Sequence, residues 1–377
     1  MKKSAYVPLL FALGIGACQE LEVEAPALPC GTGYGTHPKH ATYQAYLDTY
    51  RQETQAPGVV LLVARPDQPL WVGSSGQANL AHQAPFCTET PFRLGSITKV
   101  YVATLIMKLQ EEGQLALDDP LHNVLPEVAT RIPSAEKITV RHLLGHTSGL
   151  IDPPNQSLQY QADIVNDPTW FGNMSTTELL EKYVYGKALL FEPGTAYSYS
   201  NPGYWLLGKI AERVGQKPLA DLLSEKIFTP LHLTHTYLEK HHNPDVSRGY
   251  AASTGSKVKD VTPWDEAEGD GKAAGGMIST AEDLYRFYDA LFSGVLVSPA
   301  SVEAMKTQQL PDCDGVDCEY GLGLEIWHLG NQTGYGHNGA LIGIEANALY
   351  FPERNTMLVL YKNLGGGSDK SFLEDLL

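Results

Sequence analysis

Hydrophobic and polar positions along this chain follow two rhythms, and the changes of rhythm divide it. Tyr43, Tyr46, Leu47 and Tyr50 recur at helical spacing and predict a helix over His40 to Glu53. Val59 to Ala64 is an unbroken apolar run rich in β-branched residues, which predicts a strand. Arg65-Pro66-Asp67-Gln68-Pro69 interrupts it, and Leu70-Trp71-Val72 resumes the pattern as the second arm of a hairpin. At Val100 the period becomes helical. Val100, Ala103, Leu105, Ile106, Met107 and Leu109 form a broad apolar band with no charge from Val100 to Met107. Such a helix is buried on most sides, and Gly113 suits its stop.

From Leu115 to about Leu310 the pattern is helix and loop. Thr139 to Leu144 reads as a short helix that leads into the turn-rich Gly145-His146-Thr147-Ser148-Gly149-Leu150. Ser175 with Glu178 forms a capping box for a helix through Lys182. Helices follow over Tyr204 to Val214 and Leu219 to Ile227, and Ser279 with Glu282 caps another that runs to about Phe292. Trp264 to Gly276 reads as an acidic, glycine-rich loop. Strand signals then return. Tyr320 to Trp327 reads as a strand, and Ala346 to Phe351 with Thr356 to Tyr361 reads as a hairpin turned by Pro352-Glu353-Arg354-Asn355. Consecutive strands favour antiparallel pairing, which would join the early and late hairpins in one sheet. The expected fold is α+β: an antiparallel sheet flanked by terminal helices, with a mostly helical inserted domain. The expected α/β part is 37–95 with 295–377, and the helical part is 96–294.

Composition changes this picture little. Hydrophobic residues make up 43% and charged residues 19%, as in globular domains. The formal net charge of −16 argues against nucleic acid and against a basic membrane-binding patch. The first residues read as a processing signal. Lys2 and Lys3 precede an apolar run, Ala5 to Ile15, that is short for a membrane span. Ile15-Gly16-Ala17-Cys18 resembles the bacterial lipobox, so residues 1–17 are expected to be removed and Cys18 to carry lipid; ordinary secretory cleavage nearby is the plainer alternative. Residues 18–36 then form an acidic, proline-bearing tether. Cys30, Cys87, Cys313 and Cys318 remain, an even number suited to an oxidising compartment. Of the three pairings, Cys313 with Cys318 across a tight polar loop is favoured, which leaves Cys30 to meet Cys87.

Candidate chemistry lies at three places. Ser96-Ile97-Thr98-Lys99 opens the buried helix, with the serine in its first turn and the lysine one turn on. That is a nucleophile beside an amine able to act as its base. A capping serine and a snorkelling lysine are the structural alternative. The same spacing recurs at Ser134/Lys137 in a polar run and at Ser256/Lys259 in a surface-loop sequence, neither of which opens a buried helix. Tyr199-Ser200-Asn201 precedes the next helix, and its structural reading is a turn capped through Asn201. A second Tyr-x-Asn, Tyr361/Asn363, ends an apolar strand. Finally, His337-Asn338-Gly339-Ala340 sits among glycines that permit close backbone approach to a ligand. His232, His235, His241 and His242 fit no metal-ligand spacing and read as a surface loop.

Ser96-x-x-Lys99, Tyr199-x-Asn201 and His337-x-Gly339, in that order and 103 and 138 residues apart, resemble the three-motif set of the serine β-lactamase and penicillin-binding protein superfamily. Tyr-x-Asn points to its class C branch, and the leading histidine of the third motif resembles that branch's secreted D-alanyl-D-alanine carboxypeptidases. FRLGSITK, ITVRHLLGHTSGL, FEPGTAYSYSNPGYWLLG, GGMIST and YGLGL look familial too, so that residues 37–365 are covered. The resemblance implies that Ser96 forms an acyl-enzyme, Lys99 takes its proton, and Tyr199 acts as general acid/base. It implies an oxyanion hole from the N–H groups of Ser96 and Ala340, a hydrogen-bond chain from His337 to Tyr199, and Asn201 holding the substrate's acyl-side amide. Asn338 and Gly339 would line the substrate. No metal or organic cofactor is implied. The implied activity is that of a D-alanyl-D-alanine carboxypeptidase-like enzyme on peptidoglycan peptides or other small acyl substrates, with β-lactams as covalent ligands; an esterase, amidase or β-lactamase on the same scaffold, or a catalytically weak penicillin-binding protein, is the alternative. The expected location is the periplasmic face of the outer membrane of a two-membrane bacterium, lipid-anchored. One departure stands out. The related carboxypeptidases look like H-T-G-T at the third motif, with an arginine after G-L-G-L; this chain has Asn338, Ala340 and Glu325 there. His337, if cationic at lower pH, or Arg354 are the candidate replacements for the missing grip on a terminal carboxylate.

Overall fold

The two ends of the chain meet in one sheet. The computed structural model describes residues 30, 33–238, 243–253, 257–310, 319–367 and 369–377. Strands β1 (Gly58–Ala64), β2 (Trp71–Asn79) and β3 (Ala84–Pro85) come from the first part. Strands β4 (Glu325–Leu329), β5 (Gln332–Ala340), β6 (Glu345–Phe351) and β7 (Thr356–Lys362) come from the last. The order is β3-β2-β1-β7-β6-β5-β4, with every neighbour antiparallel. The closing pair is β1 with β7, where Val59 faces Lys362 and Ala64 faces Met357.

Strand β1 is unbroken in its apolar pattern because both of its faces are covered. Val59, Leu61 and Val63 pack with Tyr43, Leu47 and Tyr50 of α1 (His40–Thr54) and with Phe372 and Leu373 of the C-terminal helix Lys370–Asp375. Val60, Leu62 and Ala64 turn the other way, into the larger core. That core holds α2 (Thr98–Glu111), whose residues from Thr98 to Met107 are all buried. Gly113, at φ +72°, follows its end. Short helix α3 (Val140–Leu144) and the longer α4 (Asn201–Gly215) pack in the same core.

Several local expectations are corrected. The strand expected over Tyr320 to Trp327 begins only at Glu325. The Gly321 N–H donates to the Leu324 carbonyl, and the backbone turns through Gly323 at φ +85°. The helix α6 (Ala281–Phe292) is capped by Thr280, whose side chain accepts from the Asp283 N–H; Ser279 pairs with Thr236 instead. The stretch read as an acidic loop contains helix α5 (Thr262–Glu268), begun by Pro263, before it turns back at Gly269 to Gly276. Cys30 and Cys87 form a disulfide, while Cys18, Cys313 and Cys318 lie outside the described residues.

Candidate active site

Ser96 stands where two backbone segments nearly touch. Gly95 to Ile97 form a 3₁₀ turn that runs straight into α2. Gly95 has φ +52°, and a Cβ there would lie 2.8 Å from the Ala340 nitrogen. A Cβ on Gly339 would lie 1.9 Å from the Leu94 carbonyl oxygen and 3.2 Å from the Ser96 nitrogen. Two glycines thus let the serine turn and the end of β5 close on each other. The backbone nitrogens of Ser96 and Ala340 are brought beside the same cleft, as an oxyanion hole requires.

Lys99, the next turn on, is fully buried. Its Nζ lies 2.9 Å from Ser96 Oγ, 2.8 Å from Asn201 Oδ1 and 2.6 Å from the Ala274 carbonyl oxygen. Burial pushes its pKa down to about 7, against the opposing pull of Asp152, Glu325 and Glu268. A neutral amine spends its two N–H groups on Asn201 and Ala274, which leaves its lone pair for the serine proton. Tyr199 donates its hydroxyl to Ser96 Oγ at 2.8 Å, and burial raises its pKa well above the phenol value. At neutral pH the tyrosine is therefore a neutral donor, and the lysine is the group ready to take a proton.

Ser200 caps α4 by accepting from the Gly203 N–H, so Asn201 is released from the capping role. Asn201 instead bridges charges: its Oδ1 accepts from Lys99, and its Nδ2 donates to Asp152 Oδ1 at 3.0 Å. One amide N–H remains for a substrate carbonyl. His337 departs from expectation. Its Nε2 meets the Tyr320 hydroxyl at 2.9 Å, and its Nδ1 contacts the Asn338 carbonyl and lies 3.3 Å from Glu325 Oε1. Its ring centroid is 6.3 Å from that of Tyr199, and among the described residues no hydrogen bond joins them. Burial lowers the His337 pKa, with Glu325 opposing, which works against the cation considered at lower pH. The ring against Tyr199 is His146, at 4.2 Å. His146 also brackets the tyrosine: its carbonyl accepts from the Ser198 N–H, and its Nδ1 accepts from the Ser200 N–H. Arg354 is likewise no substitute, because its guanidinium meets the carbonyl of Leu377.

The other candidates separate cleanly from the site. Lys137 forms a surface ion pair with Glu192, and Ser256 lies outside the described residues. Asn363 accepts from the Gly58 N–H and donates to the Gln77 carbonyl, a structural tie between strands. The backbone N–H of His235 donates to the Asp283 carboxylate, while His241 and His242 lie outside the described residues. Around Ser96, Tyr199, Asn201, Asn338 and Ala340 opens a cleft of about 300 Å³. Sequence reasoning missed its remaining polar wall: Glu268 and Lys272, with Asp152 behind Asn201. Thr262-Pro263 ahead of Asp265 was a helix-start signal that could have exposed part of that wall.

A nucleophile, a lowered-pKa base, a hydroxyl within hydrogen-bond reach of the nucleophile and two backbone amides beside one cleft suit acyl transfer. The family comparison agrees, since the Beta-lactamase family model matches residues 43–376. The chain belongs to the beta-lactamase family. Its relatives include Penicillin-binding protein 4 of Amycolatopsis lactamdurans, 29% identical over 89% of this chain and 88% of that protein. Penicillin-binding protein 4* of Bacillus subtilis is 30% identical over 85% of this chain and 71% of its own length. Among solved structures, a D-stereospecific amidohydrolase from Streptomyces sp. superposes with a TM-score of 0.75, at 28% identity, over 89% of this chain and 98% of that one. The beta-lactamase-like fold and the serine acyl-hydrolase class are thereby established for this chain.

Proposed function

We propose that this beta-lactamase-family hydrolase cleaves amide and ester bonds of small peptide-like substrates, related to peptidoglycan peptides, and favours uncharged leaving groups over a free terminal carboxylate. Ser96 Oγ attacks the carbonyl carbon while Lys99 accepts the hydroxyl proton. The oxyanion forms against the Ser96 and Ala340 N–H groups. Collapse expels the amine or alcohol, which takes a proton through Tyr199. Water then attacks the acyl ester, returns the acid and restores the Ser96 hydroxyl.

The observation that carries the leaving-group preference is Glu325. Its Oε2 accepts from the Asn338 N–H at 2.9 Å and from Trp327 Nε1 at 2.7 Å. A carboxylate thus lies on the third motif, where a substrate carboxylate would need a cation. The Streptomyces amidohydrolase, by its description a D-stereospecific enzyme, supports an amide-cleaving reading on this scaffold. The test is kcat/KM for a diacylated Lys-D-Ala-D-Ala peptide against its C-terminal amide. The amide should be equal or better. A hundredfold preference for the free acid, about 2.7 kcal/mol, would reveal a carboxylate grip and overturn the reading. Mass spectrometry after penicillin treatment should place the adduct on Ser96, and Ser96→Ala should abolish it.

We further propose export with a lipid on Cys18, read from the lipobox-like Ile15-Gly16-Ala17-Cys18. The full-length chain should fractionate with outer membranes of a two-membrane host, and Cys18→Ser should release or misprocess it. A wild-type chain recovered wholly in the soluble fraction would exclude the anchor.

A further inference from the structure

We propose that His146 is a positioning residue that aims the Tyr199 hydroxyl at Ser96 Oγ and at the leaving group by bracketing the tyrosine from both sides. The inference rests on the acyl-serine hydrolase reading above. It adds a residue that acts on leaving-group departure only through Tyr199.

Tyr199 has little hold of its own. Among the described residues its side chain makes one hydrogen bond, the 2.8 Å donation to Ser96 Oγ. That bond must open when the hydroxyl turns to a leaving group, so the direction of the ring has to be set elsewhere. The segment that carries it is tied to the loop that runs from Gly145 to Asp152. The Ser198 N–H donates to the His146 carbonyl at 3.0 Å, and the Ser200 N–H donates to His146 Nδ1 at 3.1 Å. Ser200 Oγ and the Asn201 N–H reach Ile151 and Asp152 further along the same loop. The ties on either side of Tyr199 therefore end on one residue, whose ring lies against the phenol at 4.2 Å between centroids.

His146 keeps its place at a cost. Its φ is +57°, a left-handed conformation uncommon for a residue with a side chain. The imidazole is fully buried. Because Nδ1 accepts, the neutral ring carries its proton on Nε2, which is buried without a hydrogen-bond partner among the described residues. A strained backbone and an orphaned donor at one residue of an active-site wall are features that a purely structural position would shed. The rings of Tyr320 and Tyr204, at 4.6 and 5.3 Å, enclose the imidazole on its other sides. Neutrality belongs to the same arrangement. A second proton would turn Nδ1 into a donor and break the Ser200 tie. Burial, with the charges of Lys99 and His337, holds the His146 pKa well below the ordinary imidazole value.

The consequence depends on the leaving group. An alkoxide needs a proton from Tyr199 as its bond to the carbonyl carbon breaks, whereas p-nitrophenolate departs as the anion. A misaimed Tyr199 should therefore hurt alkyl esters far more than activated ones. Loosened packing alone would hurt both alike.

The test compares kcat/KM for benzyl acetate with that for p-nitrophenyl acetate on the full chain. The two share an acyl group, and their ratio cancels the fraction of folded enzyme. His146→Phe keeps a ring and loses the acceptor. It should lose about a hundredfold on benzyl acetate, the cost of a misplaced catalytic group. On p-nitrophenyl acetate it should lose about tenfold or less, since no leaving-group proton is required. His146→Asn offers an amide oxygen near the Nδ1 position and tolerates the left-handed backbone, so it should recover most of the benzyl acetate loss. Tyr199→Phe should show the same selective loss, and adding His146→Phe to it should change the ratio no further. If His146→Phe does not fold, His146→Gln, whose acceptor sits one carbon too far out, takes its place with the same expectation. Equal losses on both esters, an Asn variant no better than the one that lost the acceptor, or a further selective loss in the double variant would each overturn the inference. Failure of p-nitrophenyl acetate and penicillin alike to acylate Ser96 in the wild type would instead refute the hydrolase reading beneath it.

Discussion

Lys99 sets the pH dependence of this site through the balance around its amine. Burial lowers its pKa to about 7, and the largest opposing charge is that of Asp152, held against Asn201. A base must be deprotonated to act, so acylation should rise with pH through about 7. Removing the Asp152 charge weakens the hold on the proton and lowers the Lys99 pKa further. The rising limb for Asp152→Asn should therefore move to lower pH, by roughly one unit. The amide keeps an oxygen for the Asn201 bonds, and Asn155 must turn its own amide oxygen to the new NH2 group. Stopped-flow acylation by a neutral ester from pH 5 to 9 decides it; a limb that stays put or moves upward would remove Asp152 from the balance.

Between elements, the site depends on how closely the Ser96 turn and the end of β5 approach. The Gly339 position admits no side chain, since its Cβ would meet the Leu94 carbonyl oxygen at 1.9 Å. Gly339→Ala must push the strand away from the turn, and the Ala340 N–H moves with it. A displacement of about 1 Å costs on the order of a hundredfold in rate. The overpacking itself costs about 1–3 kcal/mol in stability. Acylation rate and thermal melting measured on one preparation should show the larger loss in the rate. A variant with native acylation would mean that this contact does not position the oxyanion hole.

At the scale of the whole molecule, the cleft gathers Ser96, Tyr199, Asn201, Glu268, Asn338 and Ala340, brought together by one antiparallel sheet and the helical body on its inner face. Sequence by itself determined much of this. The apolar run of β1, the charge-free band of α2 and the hairpin of β6 and β7 are local periodicities, and they survive folding because burial on a fixed face created them. The ordered motifs likewise marked Ser96, Lys99, Tyr199 and His337, all of which the fold brings near one another. What sequence misread were features set by neighbours distant along the chain. Gly323 bends a stretch whose composition reads as strand, Thr280 rather than Ser279 finds the free N–H of a helix start, and Trp264 to Glu268 is helical despite its loop-like surroundings. The partner of His337 was also beyond its reach, because hydrogen bonds depend on where side chains meet in space. Only the tertiary structure gave His337 to Tyr320 and Glu325, laid His146 against Tyr199, and left the carboxylate of Glu268 on the wall of the cleft. Periodicity is written in adjacent residues; the direction of a charge is settled by packing between residues a hundred positions apart.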